Sequence, residues 1–161
     1  MRVVSVSKTL AAAGNYADND VVSESATTGT AWVFRDIIPQ RGDGNRSGAM
    51  LLGGTVTCNE DSLLWALRLH LFNAVPSAAT MLNDNEALAL DNDDRANYVG
   101  YVDFAAMVDH GEFSLTQVRD WNLGVHSGSG TLWGVLQATE AETNETAGMI
   151  MTITLYTVDN G

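Results

Sequence analysis

Hydrophobic and polar positions alternate in short runs along most of this chain. From Leu64 to Phe72, Trp65, Leu67, Leu69 and Leu71 fall on one side and Arg68 and His70 on the other. That is the period-two pattern of a half-buried strand, and it places His70 on the polar, solvent-facing side. Met149 to Val158 repeats it, with Met149, Met151, Ile153 and Leu155 against Thr152, Thr154 and Tyr156. Thr131–Thr139 and Gly100–Met107 read as further strands, and Phe113–Trp121 as a weaker one. Thr30–Ile38 is rich in β-formers. Ala49–Cys58 returns as a strand in which Gly53 and Gly54 predict a bulge or a close backbone approach. Between these two, Pro39 to Gly48 has the Gly and Pro chemistry of a hairpin loop. Only Asp91–Tyr98 invites a helix, and it is too short for more than two turns. The sum is all-β: about eight antiparallel strands and one short helical turn, in a sandwich or barrel.

The core expected from this pattern is Trp65, Leu67, Leu69 and Leu71 packed against Leu132, Leu136, Ile153 and Leu155. Residues 1–29 contribute little to it, being mostly Ala, Asn, Ser, Thr and Gly beyond a few valines. Thr9–Asp20 has little to bury and reads as an arm or loop. The expected organisation is an N-terminal arm or extended segment at 1–24 and a β-sandwich domain at 25–161, one domain for 161 residues.

Charge narrows the function. There are 20 acidic residues against 8 basic ones, a net charge of -12. A free nucleic-acid binder needs clustered Lys and Arg to displace counterions, so direct nucleic-acid binding is excluded, and an anionic membrane surface is disfavoured likewise. No run approaches the length of a membrane-spanning helix. The first residues are too interrupted by Ser and Lys for a signal peptide. The single cysteine, Cys58, removes intramolecular disulfides and cysteine-based zinc sites.

Motifs for catalysis are missing. The one lysine, Lys8, lies in no phosphate-binding loop, and no Gly-x-Ser-x-Gly elbow occurs. His126-Ser-Gly-Ser-Gly130 sets a base beside serines, but neighbours on an extended chain point apart, and the glycines predict a turn. His70, His110 and His126 show no metal-ligand spacing. The expectation is a non-enzyme with no cofactor and no metal. The acidic stretch from Asp84 to Glu112 has two readings. One is calcium, because hard cations take many oxygens. The other is capping of turns and a short helix by Asp84, Asn85 and Asp91–Asp94. An EF-hand fails, since Arg95 and Ala96 stand at its fifth and sixth positions, where a Gly is required at the sixth. Arg41-Gly42-Asp43 spells an attachment tripeptide in what is ordinary loop composition. More distinctive are Arg35, Arg41 and Arg46, three of the eight bases within 12 residues. On an acidic molecule they form a local positive patch suited to an acidic partner surface.

The run Leu69-His-Leu-Phe72, Pro76, Leu82-Asn-Asp-Asn-Glu86, Asp91-Asn-Asp-Asp94 and Tyr98-Val-Gly100 resembles a group of small tailed-bacteriophage virion proteins. Leu132-Trp-Gly-Val-Leu136, the alternating strand Met149–Val158, and upstream Tyr16-Ala-Asp-Asn-Asp-Val-Val22 and Trp32 fit the same pattern. The loop Glu140-Ala-Glu-Thr-Asn-Glu145 departs from it, since related chains place a Pro there. The resemblance implies a jelly-roll-like β-sandwich that decorates or cements a capsid. It implies a location on the capsid exterior of the virion, major capsid protein as partner, and self-association as a dimer or trimer. Candidate partner contacts are Arg35, Arg41, Arg46 and Tyr16, with the N-terminal arm reaching along the shell. The alternatives are a neck, tail or baseplate component, and a carbohydrate-binding sandwich using exposed Trp, notably Trp121.

Overall fold

A computed structural model describes residues 1–12, 14–39, 48–77 and 79–159. Ten strands lie among the described residues: β1 (Arg2–Thr9), β2 (Trp32–Phe34), β3 (Gly48–Cys58), β4 (Leu67–Phe72), β5 (Tyr98–Phe104), β6 (Val108–Asp109), β7 (Ser114–Val118), β8 (Leu123–His126), β9 (Leu132–Ala138) and β10 (Ile150–Asp159). Two short 3-10 turns, Ala79–Leu82 and Asn92–Asn97, are the only helical segments among the described residues. The second lies where the sequence invites a helical turn and is capped by the Asp91 side chain, which accepts from the Asp93 N–H.

The strands form two antiparallel sheets, one in the order β1-β10-β3-β7-β6 with β8 also on β3, the other β2-β9-β4-β5. β7 pairs Gly54–Cys58 and β8 pairs Gly48–Leu51, so both lie along β3 and share one sheet position. With those merged and the two-residue β6 set aside, the orders are those of an eight-stranded jelly roll, in which every successive pair of strands except β4–β5 crosses between sheets. The sandwich expectation is met, and the jelly-roll topology with it.

That crossing corrects one expectation. β2 pairs β9 and β3 pairs β10, so they belong to different sheets and are not a hairpin. The turn chemistry between them marks a change of direction without fixing which sheet follows. Residues 40–47 lie outside the described residues, and with them the Arg-Gly-Asp tripeptide.

The core lies between the sheets. Trp65, Leu67, Leu69 and Leu71 meet Leu132, Leu136, Ile153 and Leu155, all fully buried, as the alternation predicts. Gly53 and Gly54 mark the expected irregularity. The β3–β10 register slips beside Gly53, leaving Leu52 as the extra residue. A Cβ on Gly53 would fall 2.2 Å from the Val118 carbonyl oxygen, so two backbones approach there with no room for a side chain.

The N-terminal segment is not an arm. Arg2 to Thr9 pair residue by residue with Thr157 to Ile150 of β10, and Val4 and Val6 pack on the core. Leu10, Tyr16 and Val22 are buried in it. Residues 19–22 then run beside β9, with Asn19 N–H donating to Ala138 O, Ala138 N–H to Asp20 O and Val22 N–H to Leu136 O. The division at residue 24 therefore has no structural counterpart.

Candidate functional site

The two sheets present very different outer faces. On the four-stranded sheet the register builds a grid. Asp103, Arg68 and Gln137 stand in one row, Tyr101, His70 and Val135 in the next, and Tyr98, Phe72 and Trp133 in the third. Residues 19–31 and 81–88 lie over part of this grid. Val21, Ala31, Met81 and Leu82 pack with Phe72 and Val135 into a second small core. His70, expected to face solvent, is therefore buried. Alternation placed it correctly opposite Leu69 and Leu71, but that side is roofed.

His70 is held at both nitrogens. Nε2 lies 2.8 Å from Gln137 Oε1, and Nδ1 lies 3.0 Å from the Tyr98 hydroxyl. The Gln137 amide N–H donates to Asn19 Oδ1, which fixes Oε1 as the acceptor facing His70. The neutral imidazole thus carries its proton on Nε2 and accepts from Tyr98 at Nδ1. Burial holds its pKa below the ordinary histidine value, opposed by the Gln137 bond. At the open end of the grid, Arg68 makes a two-pronged bond to Asp103 at 2.7 and 3.0 Å, and its guanidinium sits 4.0 Å from the Tyr101 ring centroid. Each of these groups has a structural partner, and the network ties β4, β5 and β9 to the segment at Asn19. It holds the roof on the sheet.

The acids of the 84–112 stretch act in the same way. Asp84 accepts from the Tyr16 hydroxyl and the Ser23 N–H, both at 2.7 Å. Asp94 accepts from Ser77 N–H with both oxygens, and Asp109 accepts from Gly111 N–H. These are capping and latching roles. Among the described residues no group of three or more His, Cys, Asp or Glu side chains is arranged to hold a metal ion.

Of the candidate contacts, Tyr16 is buried, its ring edge-on to Trp65 at 4.9 Å and its hydroxyl on Asp84. It cannot meet a partner, and this corrects the expectation: an aromatic among small residues was filling the core. Arg35 is exposed in the turn after β2, while Arg41 and Arg46 lie outside the described residues. Trp121 is half-buried, edge-on to Phe104 at 4.9 Å, with its indole N–H donating to Asp103 O. The exposed Trp expected for a sugar contact is thus half-buried. Beside it in sequence, His126 is exposed, while Ser127 is buried with its hydroxyl 3.0 Å from that of Ser129, in a turn and not beside a base. Sequence reasoning also missed Glu142. In the loop after β9 its carboxylate accepts from the N–H groups of Leu64, Thr143 and Asn144 and so fixes the last connection.

The outer face of the six-stranded sheet has a different character. Three rungs cross it: Val3–Tyr156–Gly53, Ser5–Thr154–Thr55–Gln117 and Ser7–Thr152–Thr57–Leu115. Ser5 and Thr154 are hydrogen-bonded at 2.8 Å, and Ser7 and Thr152 at 2.7 Å. No Asp or Glu occupies an outward-alternating position of these strands, although the molecule carries 20 acids. Asp109 and Asp159 sit opposite the inward-facing Ser114 and Ala49. Val3, Val108, Ile150 and Val158 are exposed here, with Met1 beside them, half of the exposed large apolar side chains. Where the bulge and Gly53 remove side-chain bulk, a groove of about 390 Å³ opens between Met1, Leu52, Gln117, Arg119 and Tyr156. The signal for this face is in the sequence as three triplets, Ser5-Val-Ser7, Thr55-Val-Thr57 and Thr152-Ile-Thr154.

No protein-family model matches the chain, and comparison with curated proteins finds no relative.

Proposed function

We propose that this protein is a structural accessory component of a tailed-bacteriophage virion, attached to the outside of the capsid through contact with major capsid protein and acting as a homo-oligomer. The observation that carries the reading of an assembly component is the carboxylate-free outer face of the six-stranded sheet, with its exposed apolar side chains. Depletion of charge together with clustered apolar groups distinguishes the centre of a protein–protein contact from ordinary surface. The resemblance of the Leu69–Gly100 region to small virion proteins supports the same reading. So does the engagement of the buried His70, Asp84, Asp94 and Glu142 in holding loops and strands. Attachment by a detachable N-terminal arm forms no part of it, because that segment is β1.

The test is to add purified protein to capsids lacking it and to image the particles by electron microscopy. Density repeating with icosahedral symmetry on the shell is expected. Density confined to the neck or tail would replace the proposal with a tail-component role, and absence of binding would reject it.

A further inference from the structure

We infer that, on the reading of this protein as an assembly component, the outer face of the six-stranded sheet takes a second copy of the same chain in a two-fold, face-to-face dimer. Two arguments lead to this occupant.

The first is charge. Each copy carries -12, so two copies repel over most orientations. On this face the outward strand positions carry no carboxylate, so a second copy meets none there. What the face offers in place of charge is hydroxyl groups, which suit a like surface. A hydroxyl is both donor and acceptor, whereas a carboxylate or guanidinium opposite its own copy is repelled. The Ser5–Thr154 and Ser7–Thr152 bonds each use one O–H, leaving one donor and spare lone pairs per pair for a partner.

The second is relief. A two-fold axis lying in the plane of the sheet, across the strands at the level of Ile153, exchanges the rungs in order. The Ser7–Thr152–Thr57 rung then meets the partner's Ser5–Thr154–Thr55 rung, hydroxyl row against hydroxyl row. The same operation sets Ile150 over the partner's Tyr156, beside the groove at Gly53. Ile150 is 46% exposed, and the groove is lined by Leu52 and Tyr156. One face therefore supplies both the projecting side chain and the recess, and the symmetry uses each twice, as an isologous contact requires. Flat antiparallel sheets stack in this manner at about 10 Å.

The experiment is light scattering on the eluting full chain, across protein concentrations, with melting temperature as the control for folding. Wild type is expected at twice the 17.2 kDa chain mass. Thr154→Arg and Ile150→Asp, both on the outer surface, are expected to melt as wild type and to self-associate about tenfold more weakly or worse, the first because the two arginines stand close across the axis and the second because it sets a carboxylate against the partner's Tyr156 and the apolar groove. Leu64→Glu, exposed but on no strand of this face, leaves the dimer intact. Added salt strengthens the dimer by screening the net charge. A wild type of single-chain mass at every concentration, a trimer, a dimer indifferent to both face variants, or a dimer loosened by salt would each overturn the inference. A monomer that still decorates capsids rejects the dimer and leaves the capsid reading standing. A dimer that never binds capsids does the reverse.

Discussion

The Nε2 of His70 lies 2.8 Å from Oε1 of Gln137, and that bond crosses from β4 to β9 beneath the segment at Asn19. Because burial lowers the imidazole pKa, the folded protein resists a proton that the unfolded chain accepts near the ordinary value of about 6.5. The unfolded state then binds more protons at pH values between the two pKa values, so this contribution to stability is full above about 6.5 and falls as the pH drops through that window. Urea denaturation from about pH 7.5 to about pH 5 is expected to show wild type losing its advantage over His70→Gln. A difference independent of pH would mean that His70 is not held neutral.

Leu69 is fully buried between the sheets, opposite Leu136. Leu69→Ala is expected to cost about 2–5 kcal/mol, the transfer and cavity cost of losing a large aliphatic group in a packed interior. Chemical denaturation measures it, and a loss under about 0.5 kcal/mol would place the core elsewhere.

The alternation of Leu67, Leu69 and Leu71, and of Met151, Ile153 and Leu155, made the sandwich interior legible, because period two states which residues share a side. It does not state what covers the other side. His70 was misread for that reason: the groups that close on it, Tyr98 and Gln137 with Asn19 behind, come from β5, β9 and the segment before β2. β1 was missed because Val3 breaks the Val–Ser alternation and nothing local reveals its partner, β10, at the far end of the chain. Leu10 and Tyr16 sit in loops, where a lone buried side chain has no period. The hydroxyl face was written in three triplets, but only the register of β1, β10 and β3 shows them side by side.

Gly53 and Gly134 separate two kinds of crowding. A Cβ on Gly53 would meet backbone, the Val118 oxygen at 2.2 Å and Arg119 Cα at 2.8 Å. On Gly134 it would meet the end of the Leu69 side chain at 2.7 Å, which can rotate away. Gly53→Ala is therefore expected to destabilise by roughly 1–3 kcal/mol, as overpacking does, and Gly134→Ala by less. Thermal melting of the two variants gives the order, and a reversed order would place slack in the β3–β7 crossing.

Removal of Met1 to Thr9 tests whether the N-terminus belongs to the fold. An arm is removed without consequence to the body it leaves. β1 instead supplies eight residues paired to β10 and two valines packed on the core. Its side chains also reach across to the segment around β2. Arg2 donates to the Asp36 carbonyl, while Lys8 Nζ lies 2.6 Å from Glu24 Oε2 and 5.3 Å from the Trp32 ring centroid. Burial lowers the Lys8 pKa, partly offset by Glu24, so loss of the lysine leaves a half-buried carboxylate without its cation. Deletion also bares one edge of β10, a row of backbone donors and acceptors open to pairing with other chains. The truncated protein is expected to unfold at markedly lower denaturant concentration and to aggregate, while Lys8→Met alone shifts the midpoint by a smaller amount in the same direction. A truncated chain with the midpoint of the full protein would show that β1 is a detachable arm after all.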